Sequence, residues 1–549
     1  MSVSGPRGRS RRLWPTVSVH ALIAAQLTGL AVAAIAAVIG LEWWPTLAIG
    51  LVAAAVGFVP VRGRCLLDWA ATLLRYPIRR AAALGETTDF RAPSGPVVGL
   101  LWDGGSVTAV VEVLPAPGNL TQVGRDGVES VHLLPVGALA ESMTQHDINL
   151  SGIDVISHGY RAVAGSPAAD VYDRLVGPLP ATAVRTVWLA LRLDATAEAE
   201  SVSSRGGGSE GAARTVSIAA QRVVRTLADH GLPSRLLTAA QIGSAATQIG
   251  RGIRPESFTR AWNHVPLADA CNSGFAIDPR SLSSEVLAAL WARPSLGTTV
   301  TVRLRPGARP GEVRVAASCR LTNCTVPESR ERPGPVSMSG RHADALASNL
   351  PGAPAHLDSL TPFTGVDRVR LDALNLPSSG CGQLLGSDDD GRGITTRVTG
   401  PEVPTVEVFG ELYLAQQLVF RAVATGARIL IHSDRAQDWE PLVESVATPD
   451  RLALALDPTR FDPAFTAVVF DGTEVRPLGG PATAIRVREL PQQPIDTEAA
   501  LTIVQPGARG DRIVVHANGR QLDLILVTIA QETAFIGRPL AVDTVPATS

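Results

Sequence analysis

Three stretches of this sequence carry residue types that can do chemistry, and each also has a plainer reading. Asp388-Asp389-Asp390-Gly391 sets two carboxylates two residues apart. That spacing could hold a divalent cation on a nucleotide sugar. An EF-hand register fails, because its first ligand would be Gly386 and its twelfth Arg397. An acidic turn between strands explains the same residues. Gly207-Gly208-Ser209-Glu210-Gly211 matches GxSxG. A nucleophile elbow needs a strand directly before the serine, whereas 198–206 is polar and no Asp-then-His order stands out downstream. The glycines could instead present amides to an anion at a helix start, or form a loop entering a helix.

The third stretch is a strand–helix–strand pattern over 403–409, 411–425 and 427–432, with Asp434 where a ribose-binding acid could sit. Its turn offers only Gly410, not GxGxxG, so a pyrophosphate has no close backbone approach and the unit reads as structural. All 49 basic residues are Arg. Without Lys there is no Walker-A ammonium, kinase β3 Lys or Schiff base, which excludes a standard P-loop ATPase. The ten His are dispersed. Cys65, Cys271, Cys319, Cys324 and Cys381 are odd in number and scattered, against a zinc site or disulfide framework and in favour of reduced thiols. Catalytic, cofactor and metal residues are therefore all expected to be absent.

The elements that would carry these residues begin at a membrane signal. Residues 13–41 contain no acid and no Arg, and 17–39 are almost wholly apolar. At ~1.5 Å per residue this run can cross a hydrocarbon core of ~30 Å. A turn at 40–45 with Trp43 and Trp44 follows, then a second uncharged run over 45–61. Trp suits the headgroup boundary, and the Gly and Ala content allows close helix packing. Arg7, Arg9, Arg11 and Arg12 precede the pair; Arg62, Arg64, Arg75, Arg79 and Arg80 follow it; the turn carries only Glu42. The positive-inside rule puts both ends in the cytoplasm. A cleaved signal peptide fits poorly, since the run is too long and a second follows at once. Leu66, Trp69, Leu73 and Tyr76 recur at helical spacing in 65–76. That helix either lies along the inner membrane surface or continues the second span.

The first 80 residues carry a net +7 and the remainder −9. Basic character at a membrane attracts anionic headgroups, while a mildly acidic body speaks against nucleic acid. The expected organisation is an Arg-rich cytoplasmic N-terminus (1–15), two transmembrane helices (16–61), a basic amphipathic segment (62–85), an α/β domain (86–330), its continuation (331–450) and a β-rich region (451–549). Strands are expected at 107–113, 187–193, 298–304 and 312–320, the last two joined by a hairpin turn, and at 403–409, 427–432, 467–470, 484–488, 501–504, 512–515 and 522–527. Helices are expected at 212–230 and 411–425, ended by Gly231 with Pro233 and by Gly426. Linkers are expected at 195–211, which should be mobile, at 327–335 and at 387–393.

The double span, the Arg-rich exit and several local blocks resemble EccE, a membrane component of the type VII (ESX) secretion systems of actinobacteria. The blocks are Arg205-Gly206-Gly207-Gly208, Ala212-Ala213-Arg214-Thr215-Val216, Arg235-Leu236-Leu237-Thr238-Ala239, Gly380-Cys381-Gly382-Gln383-Leu384-Leu385-Gly386 and Arg421-Ala422-Val423-Ala424-Thr425-Gly426-Ala427. They cover roughly 1–445; the tail matches less clearly. The resemblance implies a mixed α/β (α+β) cytoplasmic body, similar in fold to a degenerate glycosyltransferase, on a two-helix transmembrane hairpin. It implies a non-enzymatic, multi-pass subunit of the inner membrane, beside EccB, EccC and EccD, with the ATPase in EccC. The rival expectation is a membrane-anchored glycosyltransferase-like enzyme using Asp388 and Asp390.

Overall fold

The structure is a computed structural model. It describes residues 19–541 apart from 62, 79–81, 83, 92–94, 126, 131, 254–256, 310, 327–334, 456–461, 476–477, 479 and 491–497. The chain opens with an antiparallel helical hairpin, α1 (Val19–Val38) and α2 (Trp43–Val56). The two helices meet at glycine. A Cβ on Gly29 would lie 2.8 Å from the Gly50 carbonyl oxygen, and one on Gly50 would lie 2.9 Å from that of Gly29. A third helix, α3 (Leu66–Arg75), links the hairpin to the body. Among the described residues no helix is long and apolar enough to cross a membrane. α1 runs for 20 residues, with side chains described from Leu22 onward, and α2 for 14.

The body holds two large sheets. The first is antiparallel and contains β1 (Glu86–Arg91), β2 (Val97–Asp103), β3 (Ser106–Val113), β4 (Gly152–Tyr160), β5 (Val184–Asp194), β6 (Cys271–Ile277), β7 (Gly297–Pro306) and β8 (Val313–Asn323). Their spatial order is β6-β8-β7-β4-β5-β3-β2-β1. The hairpin expected around 305–311 is present, with Pro306 opposite Val313. One face alternates Val, Ile and Leu, including Val111, Val155, Leu189 and Val302, and packs against α4 (Gly208–Asp229) through Ala212, Val216, Ala220, Val223 and Leu227. The opposite face is part apolar, against α5 (Ala239–Ile249), and part ionic. There Arg305 binds Asp154 at 2.6 Å and grips Asp358 with two nitrogens at 2.8 Å, and Arg192 reaches Asp358 at 3.1 Å. Burial opposes ionisation of Asp154, yet Arg305, Arg192 and Arg303 hold its carboxyl below the usual carboxylate range.

The second sheet is mixed. It contains β9 (Gln383–Ser387), β10 (Gly393–Thr396), β11 (Thr405–Phe409), β12 (Ile429–Ser433), β13 (Leu452–Leu454), β14 (Ala467–Asp471), β15 (Thr483–Arg488), β16 (Leu501–Val504), β17 (Arg512–Ala517) and β18 (Arg520–Ile525). The order β13-β12-β14-β15-β11-β16 is parallel, and β17-β18-β9-β10 continues it antiparallel. Thr121–Gly124, from far earlier in the chain, pairs with β10. The parallel strands are rich in Val, Ile and Leu and largely buried, with Glu407 and Arg486 as polar interruptions. α6 (Leu412–Ala424), α7 (Ala436–Val446) and α8 (Ala530–Ile536) lie on one face.

The 195–211 segment is not a mobile linker. It contains a helix, Ala199–Ser203, whose Ser201 hydroxyl donates to the Asp147 carbonyl, and Arg205 pairs with Asp147 at 2.5 Å. These tertiary partners order a segment whose composition reads as loop. The linker expected at 327–335 lies almost wholly outside the described residues. All five cysteines are free, and Cys324 alone of them is exposed.

Candidate functional site

Asp388 and Asp390 sit in the tight turn between β9 and β10. Asp388 Oδ1 accepts the amides of Asp390 and Arg392 at 3.1 and 2.8 Å. Arg392 then neutralises both carboxylates, its Nε 3.1 Å from Asp388 and its Nη2 2.8 Å from Asp390. Asp389 and Asp390 are exposed. A cation here would have to displace an arginine already bound. Among the described residues, no three His, Cys, Asp or Glu side chains gather as a metal site would require. The acidic turn is therefore the reading the geometry supports, and nothing supports the glycosyltransferase alternative.

The Gly206–Gly208 run turns the chain between two helices. Its glycines have φ of 107°, 70° and 57°, which side chains rarely adopt. Ser209 stands exposed in the first turn of α4, with a helix rather than a strand before it. Close approach of α4 to its predecessor rests on Gly211, where a Cβ would lie 2.4 Å from the Val202 carbonyl oxygen.

The strand–helix–strand unit forms as β11, α6 and β12, all in one sheet, although β15 and β14 lie between the two strands. The place above β11 where a pyrophosphate would meet the helix start is taken. Gln505 Oε1 accepts the Glu411 amide at 3.0 Å, while its Nε2 donates to Glu411 Oε1 at 2.7 Å and to the Gly510 carbonyl at 2.9 Å. The Glu411 carboxylate also accepts the Leu540 amide at 3.1 Å. Asp434 packs against Gly472, whose Cβ would fall 2.2 Å from Asp434 Oδ2. The neighbouring Asp471 is buried and accepts from Ser433, Arg435 and Trp439 at 2.7–2.9 Å. Burial works against its charge, but these donors keep its carboxyl below the ordinary range. Asp471 and Glu411 are thus committed to the fold, while Asp434 stands exposed.

Other polar residues form the joints between elements. The Gly380–Gly386 block crosses from one sheet to the other. The Cys381 and Gly382 amides donate to the carbonyls of Thr182 and Ala183, just before β5, at 2.9 and 3.0 Å. Gly382 has φ +75°, and a Cβ there would meet the Thr396 carbonyl oxygen at 2.0 Å. Arg185 stacks 4.2 Å over Trp291, and burial pushes its guanidinium down to about 10. Arg421, on α6, is 1% exposed and paired with Glu532 on α8, also 1% exposed, at 2.7 and 2.8 Å. Its third nitrogen donates to the Leu384 carbonyl at 2.9 Å. Arg421 opens one of the blocks noted in the sequence, whereas Glu532 lies in a short, mixed helical stretch that the sequence pattern does not mark.

Comparison with known proteins follows the same lines. Residues 181–277 match the family model of EccE, a type VII ESX secretion system translocon. That span takes in β5, α4, α5 and β6, including the glycine turn. The ESX-1 secretion system protein EccE1 of Mycolicibacterium smegmatis is 24% identical over 396 residues, 71% of this chain and 76% of that protein. EccE1 of Mycobacterium tuberculosis is 27% identical over 276 residues, 49% of this chain and just 56% of that protein. The ESX-5 secretion system protein EccE5 of Mycobacterium marinum is 24% identical over 334 residues, 57% of this chain and 80% of that protein. The resemblance to EccE read from the sequence holds, and 181–277 takes in three of the blocks noted there.

Proposed function

From this relationship to EccE we propose that the chain is a non-catalytic subunit of a type VII secretion complex. In this reading α1 and α2 anchor it in the inner membrane, with both ends and the α/β body on the cytoplasmic side. The EccE match is the observation that carries the proposal. The hairpin supports the membrane part. Leu27, Leu30 and Ile35 on α1 and Leu47, Leu51 and Val52 on α2 are 59–67% exposed. So large a contiguous apolar surface marks a contact with lipid or protein, and moving each such side chain out of water is favourable by roughly 1 kcal/mol or more. At ~1.5 Å per residue α2 is shorter than the hydrocarbon core, a mismatch that flanking residues and local thinning accommodate. The exposed apolar side chains of Val59 and Val61 extend the band at its cytoplasmic end. The distribution of Arg sets the orientation.

The proposed partners are the other membrane subunits, EccB, EccC and EccD, with nucleotide hydrolysis left to EccC. Confinement to one bilayer raises the effective concentration of neighbours, so modest lateral contacts suffice. The closed joints of the body favour a scaffold over an enzyme. The test is to solubilise producing membranes in mild detergent and purify through a tag on this chain. EccB, EccC and EccD should co-purify; recovery of the chain alone would contradict the proposal.

A further inference from the structure

α3 has two faces with different surroundings. Its inner face is fixed to the body. The Trp69 ring lies 6.2 Å from that of Trp262, and Tyr76 meets the same ring edge-on at 5.2 Å. Thr72 is buried against Gly340, where a Cβ would fall 2.7 Å from its methyl group. Just before the helix, Arg64 donates to the carbonyls of Ser339 and Ser337 at 3.1 and 3.0 Å, and its guanidinium lies 5.2 Å from the Trp69 ring. The other end of the linkage is the hairpin. The Leu67 amide donates to the Gly57 carbonyl, next to α2, at 3.1 Å, and Trp69 Nε1 donates to the Val61 carbonyl at 3.0 Å. α3 is thus held from both sides and is not a free tether.

Its outer face is apolar and bare. Leu73 is 62% exposed, Leu74 77% and Ile78, just past the helix, 77%. Leu66, one turn-pair earlier, shares the face at a spacing of seven. Arg75 is exposed beside them. Apolar side chains with an adjacent cation are the signature of a helix lying in a lipid interface. The surface also continues the exposed band of α2 through Val59 and Val61.

We propose that α3 lies in the headgroup boundary of the cytoplasmic leaflet, with Leu73, Leu74 and Ile78 among the acyl chains and Arg75 at the level of anionic phosphates. The helix then seats the body on the membrane with its Trp262–Gly340 side turned toward the bilayer. The occupant is lipid rather than protein because the patch begins within ten residues of α2's end, adjoins its apolar band and has the exposed Arg75 at its edge, with Asp68 a helical repeat earlier. This inference rests on the hairpin reading, and the experiment separates the two.

The full chain is placed in nanodiscs of phosphatidylcholine and phosphatidylglycerol. Cys324, the exposed cysteine, is replaced by serine, and one spin label is attached through Leu74→Cys, Leu30→Cys or Val369→Cys. Collision with oxygen, which partitions into lipid, is compared with collision with a water-soluble nickel chelate. The label at 74 should favour oxygen several-fold, as the label at 30 does, while the label at 369 on the body favours nickel. A label at 74 as open to nickel as that at 369 would overturn the proposal. So would a label at 74 shielded from both, which would mean a protein cover. A label at 30 open to nickel would instead refute the hairpin reading itself, and this proposal with it.

Discussion

Replacing Arg421 with methionine tests how the C-terminal helix is held. The side chains of Arg421 and Glu532 are each 1% exposed, and the guanidinium meets the carboxylate through two nitrogens at 2.7 and 2.8 Å. Methionine fills much of the volume but leaves Glu532 with Gln417 Nε2, at 3.3 Å, as its remaining side-chain donor among the described residues. It also removes the bonds to the carbonyls of Leu384 and Val527. Breaking a buried pair from one side costs about 3–5 kcal/mol, because the remaining charge is stranded. At 1.4 kcal/mol per tenfold this is roughly a 100- to 4,000-fold rise in local opening. The readout is amide hydrogen exchange of the peptide covering α8 in the detergent-solubilised full chain. Exchange of α8 should accelerate by about that factor, while α4, in the first sheet's core, changes little. Adding Glu532→Gln to Arg421→Met removes the stranded charge and should recover at least about 1 kcal/mol. A single variant whose α8 exchange rises less than about tenfold would refute the claim that this pair pins the tail.

Three further outcomes follow from the geometry. Burial and Arg320 hold His158 at about 3, and burial, Arg64 and His264 hold His342 at about 4. Both lie below the unfolded value of about 6.5, so the unfolded chain binds more protons between these limits, and stability falls as pH drops below about 6.5. Each His should cost about 2 kcal/mol by pH 5, seen as a lower thermal midpoint than at pH 7.5; equal midpoints would contradict it. Gly382→Ala should destabilise by at least about 2 kcal/mol, since φ +75° and the 2.0 Å approach to the Thr396 carbonyl admit no Cβ; an unchanged melting profile would count against the seam described here. Asp388→Asn with Asp390→Asn should leave secretion in a complemented deletion strain unchanged, whereas lost secretion at normal protein level would revive a catalytic role for the turn.

Elements with local periodicity were legible. β3, β5, the β7–β8 hairpin, α4 and α6 fall where alternation or helical spacing, with glycine stops, places them. β4 was not legible, because its Asp154 and His158 interrupt the apolar pattern; both are buried, Asp154 against Arg305 and Arg192 and His158 against Thr299, partners that only the assembled sheet provides. The same holds for 195–211, whose polar composition conceals a helix fixed by Asp147 some fifty residues away. The pairing of Thr121–Gly124 with β10 joins segments too distant for any local pattern. At the candidate sites, sequence spacing correctly weakened GxSxG and the dinucleotide turn. It could not show what replaced them, since Gln505 capping Glu411 and Arg392 holding the aspartates are tertiary contacts. The glycines at 380–386 could be noticed as a block, but their purpose depends on the carbonyls they approach.

The proposed topology is tested most directly by labelling intact cells with a membrane-impermeant maleimide. One chain carries Trp43→Cys in the hairpin turn with Cys324→Ser, and another keeps the native Cys324, exposed on the body. The account predicts rapid labelling at 43 from outside and labelling at 324 only after the membrane is opened. Labelling of Cys324 in sealed cells, with the turn protected, would contradict it.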